Sequence, residues 1–353
     1  IKISSLSSNG VGAEQASNNF AEIAYALLTN KKFGAGDTIG SDQVDAIEMG
    51  IAADFCRANG FAWDGVVAEK QNLREFIFQN AGYNFLDFTI KGGRFSLFPS
   101  VPYRTDFTID PAAKPNIKAL FTDGNMRNMQ VSFLSPEERQ LFKATVLYRK
   151  DVPNGFPEVQ TFSLACADPE YLTEDYEKLP EEVFDMSGFC KSPEHARNFA
   201  KYALLVRKYV DHGIRFETTP QAAMALQPGE YFRVVSEASH TSRFQTGSVT
   251  ENGDIVSKDG LTNGSKTLYH WQPGTERVLE TTVTVSNNKI VGGALNGHVF
   301  SVKNTTTEKR VYKVETLQYA DDGLVEISGS YVPLKDDGTL QVLEWNEGSF
   351  VPL

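Results

Sequence analysis

The sequence predicts a predominantly β protein of the α+β class, and three observations predict it. Strand-like alternation recurs from about residue 120 to residue 331, punctuated by turns rich in Gly, Asn and Pro. Apolar residues at helical spacing are confined to the first eighty-odd residues and to one stretch near the middle. The chain has 353 residues, 41% hydrophobic and 11% aromatic, enough to fill the cores of two or three domains.

The middle stretch, residues 185–235, organises the rest. Ser192 suits an N-cap and Pro193 the first helical position, where its missing N–H costs nothing. Phe199, Ala203, Val206 and Val210 then predict one apolar face of a helix over 193–210. Arg207 and Lys208 fall in the last turn, and Gly213 can supply a left-handed stop. Residues 214–219 alternate as a half-buried strand, and a Gln-Pro-Gly turn leads to a second strand over 230–235.

The N-terminal part reads as a small α+β domain over 1–103. Phe20, Ile23, Ala24, Leu27 and Leu28 predict a helix over 16–29 with Ser17 as its cap. Val44, Ile47, Ile51, Ala52 and Phe55 predict a second over 41–58, stopped at Asn59-Gly60. A short strand is expected over 62–68. Asn72 then caps a third helix, with Glu75 placed for a capping box and Gly82 as its end. Leu86, Phe88 and Ile90 alternate with polar residues, and Gly92-Gly93 turns the chain back through 94–98 as a hairpin.

Residues 104–118 read as a linker, with Asp110-Pro111 and Lys114-Pro115 as turns. Strands follow over 129–133, 143–150 and 159–164. Beyond residue 245 the turns crowd together, at Glu251-Asn252-Gly253, Lys258-Asp259-Gly260, Asn263-Gly264 and Gln272-Pro273-Gly274. Short strands between them predict a β subdomain over 246–307, with its own core around Leu268, Trp271 and Val283. Strands over 310–319 and 324–331, joined at Asp321-Asp322-Gly323, read as a further hairpin. Residues 335–353 form an exit segment.

Composition excludes several classes of function. No run approaches the roughly 18 apolar residues of a membrane-spanning helix. The net charge of −11, from 45 acids against 34 bases, repels free nucleic acid, and no basic stripe offsets it. Cys56, Cys166 and Cys190 are odd in number and widely spaced, which favours buried thiols over a disulfide framework or a zinc site. The chain begins at Ile1 with no basic-then-apolar leader, as expected of a piece of a longer polypeptide.

No catalytic set stands out, and no catalytic, cofactor-binding or metal-binding residue is assigned. His195, His212, His240, His270 and His298 show no metal-ligand spacing. There is no nucleophile elbow and no phosphate loop, and Gly10-Val11-Gly12 lacks the preceding strand of a dinucleotide fingerprint. The acid pairs Glu181/Glu182, Asp321/Asp322 and Asp336/Asp337 are sequence neighbours. Such neighbours usually point apart, whereas glycoside hydrolysis needs two carboxyls facing one cleft. Asn263 and Asn304 begin glycosylation sequons of a kind frequent by chance, and Trp63, Trp271 and Trp345 are too scattered to argue a sugar platform.

Three groups of motifs nonetheless carry a family resemblance. They are NFAEIAYALLTNKKFGAGDTIGSDQVD near the start, then ADFCRANGF and GGRFSLFP, then the Ser-Pro-Glu-His-Ala helix start followed by ETTPQAAMALQPGEYFRVV. In co-linear order over roughly residues 18–331, the chain resembles the tail-tip hub proteins of tailed bacteriophages, the host-specificity (tip attachment) protein J family. The resemblance implies a tail-tube-like hub β-barrel over 119–245 and 308–334 with the flanking helix 193–210. It makes 246–307 an insertion and 1–103 a decorating domain. It implies a non-enzymatic hub of the virion, at the tail tip, without cofactor. The hub would form a homotrimer, contact distal tail-tube proteins, the tape-measure protein and the tail fibre, and close the channel until DNA ejection. DNA would cross the lumen without specific binding, and the host receptor would be met through parts outside this segment. The rival classes are a tail-associated glycan- or cell-wall-hydrolysing enzyme and a carbohydrate-binding module.

Overall fold

The computed structural model describes residues 2–67, 71–152, 156–169, 173–236, 245–257, 261–291, 295–304, 310–320 and 323–353. It is a predominantly β, α+β structure with a nearly closed barrel-like sheet. The chain divides into two compact units. The first comprises Ile1–Ala113, Gln140–Lys208 and Val342–Leu353, and the second Lys114–Arg139 and Tyr209–Gln341. His240, the Lys258-Asp259-Gly260 turn, Asp321, Asp322 and the last two residues of the Asn304 sequon lie outside the described residues.

In the first unit, a hairpin of Lys2–Ser7 and Gly10–Ala16 precedes the helices. The polar sequence there gave no sign of it, because neither strand shows a clear apolar alternation. The helix Phe20–Thr29 is capped by Asn19, whose side chain accepts from the Ala21 N–H; Ser17 supports it one step back, accepting from the Asn19 N–H. A short 3-10 turn, Ser41–Gln43, precedes the helix Ala46–Asn59, which Asp45 caps and Gly60 ends at φ +68°. Asn72 caps Leu73–Tyr83 as expected, accepting from the Arg74 and Glu75 N–H groups, and that helix runs one residue past Gly82. Residues 61–67 form no strand. Leu86–Lys91 and Arg94–Pro99 pair through the Gly92-Gly93 turn.

The same unit holds a four-stranded sheet in the order Phe350–Pro352, Glu158–Cys166, Lys143–Lys150, Glu181–Asp185, its last pair parallel. The strands 143–150 and 159–164, grouped with the barrel on sequence, therefore belong to a different sheet from Met126–Phe133. The helix Pro193–Tyr209, up to Lys208, falls in this unit as well. Its most buried residues are His195, Ala196, Ala200, Leu204 and Leu205, a face one step round from the expected Phe199, Ala203 and Val206. Small alanines let the helix axis approach its neighbours closely, while Phe199 reaches sideways to Tyr83, Phe85 and Phe184.

The second unit contains two six-stranded sheets. One runs Ile117–Thr122, Tyr231–Val235, Val311–Tyr319, Val325–Tyr331, His212–Thr218, Met126–Phe133. Its two outer strands are consecutive in the chain, turned by Asn125, whose side chain accepts from the Thr122 N–H and donates to the Leu120 carbonyl. The sheet thereby rolls into a nearly closed barrel. Gly213, expected as a helix stop, is a strand residue paired with Ser132 and Ser330. The Phe232 ring lies 2.9 Å from where a side chain on Gly329 would begin, so only glycine admits that ring. A short helix, Pro220–Ala223, starts at Thr219 between two of the strands.

The chain leaves this barrel sheet after Tyr231–Val235 and returns in the strand that pairs with it, Val311–Tyr319. Between them lies the second sheet, ordered Ile255–Val256, Thr246–Val249, Val299–Val302, Gly264–Trp271, Leu279–Ser286, Lys289–Val291. Strand alternation gives it two working faces. Leu268, Val283, Val285 and Phe300 make a core of its own, whereas Tyr269, Trp271 and Val299 join the barrel core with Phe121, Phe216 and Phe232. Trp271 thus belongs to the barrel core rather than to the satellite core expected for it.

Candidate functional site

The fold puts the described histidines in three different settings. In the first unit, Ser192 caps the helix: its hydroxyl accepts from the His195 N–H at 3.2 Å. That fixes the His195 ring against Phe61, with centroids 4.7 Å apart, and sets Nε2 2.7 Å from the Tyr83 carbonyl. The ring therefore donates through Nε2. Its Nδ1 is buried with no hydrogen-bond partner, and burial pushes the pKa down to about 4. A ring held neutral with no exit to solvent is a packing element.

In the second unit, His212 opens its strand instead of ending the helix. Its Nδ1 lies 2.6 Å from Asp211 and its Nε2 3.1 Å from the Tyr312 hydroxyl, with the ring stacked on Tyr331 at 4.5 Å. Desolvation raises the Tyr312 phenol, opposed by the nearby Arg310. The His212 ring lies against Phe133, Tyr312 and Tyr331, and the His212–Tyr312 pair is buried, which suits a polar clasp.

His270 and His298, twenty-eight residues apart, meet across two antiparallel strands with Nδ1 atoms 3.0 Å apart. Sequence spacing could not show this. The register of Gly264–Trp271 on Val299–Val302 brings them together, and each strand shows its period but not its partner.

The acid pairs diverge. Glu182 bonds Arg207 at 2.6 Å, while Glu181 accepts from the Thr145 hydroxyl, which holds its pKa low. Asp337 accepts from both the backbone and the hydroxyl of Thr339, and its pKa falls for that reason. Asn263 accepts from the Asn287 N–H. The tryptophan N–H groups are engaged: Trp63 with Asn80, Trp271 with the Thr275 carbonyl and Trp345 with the Val342 carbonyl. Cys56, Cys166 and Cys190 are all buried. Among the described residues no cluster of three or more His, Cys, Asp or Glu is placed to hold a metal ion. No helix among them is long and apolar enough to cross a membrane.

One cleft of about 580 Å³ opens in the second unit beside Arg233, Tyr269, Glu280, Lys303, Lys335 and Asp337. The Arg233 guanidinium lies 4.0 Å from the Tyr269 ring centroid, and Lys303 holds Glu280 at 3.0 Å. Four cations and three acids line it, and nothing among these residues resembles a nucleophile with its base.

No family model and no curated protein matches the chain. Among solved structures it is similar to a chain of the virion of a native gene transfer agent particle, at 11% identity and TM-score 0.38, over 81% of this chain and 47% of that one. It is similar to the tail protein from Neisseria meningitidis MC58, at 11% identity and TM-score 0.31, over 70% and 59%. A third likeness is to the prophage MuSo2 43 kDa tail protein from Shewanella oneidensis, at 10% identity and TM-score 0.30, over 77% and 55%. The chain spans about half the length of these proteins.

Proposed function

We propose that this chain is a structural component of the tail of a phage-like particle, acting as a hub at the distal tip. One observation carries the reading. The barrel-like sheet is rolled until its outer strands are chain neighbours, and a second sheet is inserted between two of its paired strands. An insertion between paired strands of a barrel-like sheet is one part of what the motif resemblance implies for a tube-like hub, although Gln140–Lys208, which it also assigned to the barrel, fall in the other unit. Rolling also removes long open edges, so copies can associate without strand-to-strand aggregation. In this role the chain works through symmetry, interface and conformational opening, with no bond made or broken. Three copies would surround a channel and close it, joining distal tube proteins to a receptor-binding fibre. The acidic balance of −11 suits a wall past which DNA slides without sticking. Imaging the chain in assembled particles tests the reading. Three copies around a channel are expected; one or two copies, or a position remote from the tail tip, overturns it.

A further inference from the structure

We propose that His270 and His298 form a proton-operated catch on the inserted sheet: a pair that stays joined with one shared or one added proton and parts when both rings are charged.

The geometry carries the argument. Two Nδ1 atoms 3.0 Å apart stand at hydrogen-bond distance, and such a bond needs one proton between two lone pairs. The other nitrogen of His270, Nε2, lies 2.9 Å from the Thr281 hydroxyl, which can either donate or accept. In the neutral pair, His270 can donate through Nδ1 and accept the Thr281 hydrogen at Nε2. Alternatively His298 donates, and His270 Nε2–H is given to Thr281. A first added proton leaves both bonds intact, with His270 donating from both nitrogens. A second puts a hydrogen on each Nδ1. The bond between the rings is then lost, and two cations face each other with ring centroids 5.0 Å apart.

The surroundings leave the pair to itself. On its own strand His270 is flanked by Tyr269 and Trp271, with Lys266 further back. Glu280 of the adjoining strand is held by Lys303, and Asp254 by Lys289. Glu251 lies beside Gly297 in the neighbouring turn. After burial, the neighbouring His298 is the next cause acting on His270. Burial, the larger cause, lowers the pKa of both rings, and their mutual repulsion lowers His270 further.

The position gives the catch its consequence. His298 immediately precedes Val299, which pairs with Trp271. Trp271 and Val299 are two of the residues, with Tyr269, through which the inserted sheet joins the barrel core. Parting the rings frays the ladder at that joint, so acid loosens the inserted sheet from the barrel within the unit.

The test is a histidine-resolved NMR titration of the intact chain, with amide exchange followed over Gly264–Trp271 and Val299–Val302. Two steps are expected across the pair, separated by about one pH unit or more, as for coupled sites. Protection of these strands should fall about tenfold or more as the second step passes, while the helices of the first unit serve as reference. His298→Gln keeps a hydrogen-bonding partner but no second charge, so it should show one step and retain protection over the same range. Should that variant not fold, the wild-type titration alone decides. A single common step, or protection unchanged through the second, overturns the proposal. So does a His298→Gln chain that loses protection as the wild type does.

Discussion

The Trp271 indole packs against the Phe121 ring with centroids 5.7 Å apart, and its N–H donates to the Thr275 carbonyl at 2.9 Å. These two rings fasten the inserted sheet to the barrel-like sheet. Trp271→Ala removes the largest fully buried side chain of the unit and leaves a cavity, so a loss of about 3–5 kcal/mol is expected. Trp271→Phe, which keeps an aromatic ring but not the donor, should cost less. Urea unfolding of the two variants checks the order, and near-zero effects would mean that the sheets do not share a core.

Replacing residues 246–307 by a short linker follows from the same contact. The sequence-based expectation is that the barrel survives, because closing a shorter loop carries no entropic penalty. Yet the replacement also strips Tyr269, Trp271 and Val299 from the barrel core and opens Phe121 to solvent. The expected outcome is therefore a chain that melts well below the intact one or aggregates. A soluble replacement with unchanged melting would show that the shared face contributes little.

The parts legible in sequence were those fixed by local chemistry. Asn72, Gly60 and Gly92-Gly93 announced a cap, a stop and a turn because each acts within a few residues of itself. The fold class followed from strand periodicity, which is also local. Partnership was not legible. Lys143–Lys150 alternates as well as Met126–Phe133 does, and nothing in either strand says which sheet it joins. The two faces of Gly264–Trp271 both carry large apolar side chains, so assigning Trp271 to a satellite core was a choice that periodicity could not make. The His270–His298 meeting is the same problem for chemistry, since register decides it.

In the first unit, Glu22 is almost fully buried and accepts from the Leu6 N–H and from Arg57, each at 2.8 Å. Arg57 also holds Asp54 at 2.7 Å; burial, the largest single influence, lowers the guanidinium pKa, but the hydrogen bonds and charge attraction to Asp54 and Glu22 together raise it. Removing the cation leaves a buried carboxylate uncompensated, so Arg57→Ala should destabilise on the order of 3 kcal/mol. Glu22→Gln keeps an acceptor for both donors and should cost less. Adding Glu22→Gln to Arg57→Ala should recover part of the loss, as read from denaturant midpoints.

The three cysteines should be chemically silent in the folded chain. Burial pushes the Cys56 thiol up to about 12, and Cys166 and Cys190 to about 11, so the reactive thiolate is scarce at neutral pH. Alkylation with iodoacetamide should therefore be slow under native conditions and label all three once the chain is unfolded in denaturant. Rapid native labelling of any one of them would show a site that opens without global unfolding.

His195 predicts how the first unit responds to acid. Its folded pKa of about 4 lies below the ordinary 6.5, because the charged ring would lose its solvation among Phe61 and its neighbours. In the unfolded chain it protonates normally, so between these values the unfolded state binds more protons. Its contribution is fully present above about pH 6.5 and is lost progressively as the pH falls toward 4, to a total on the order of 3 kcal/mol. His195 Nε2–H donates to the Tyr83 carbonyl, and that bond remains available to the charged ring. The loss therefore comes from the buried charge and not from a broken contact. His195→Phe removes the titration and forfeits that bond. It should be less stable than the wild type at pH 7, yet lose less stability on going to pH 4.5. Denaturant unfolding at both pH values measures the difference, and parallel losses in the two chains would mean that His195 does not report the acid sensitivity of this unit.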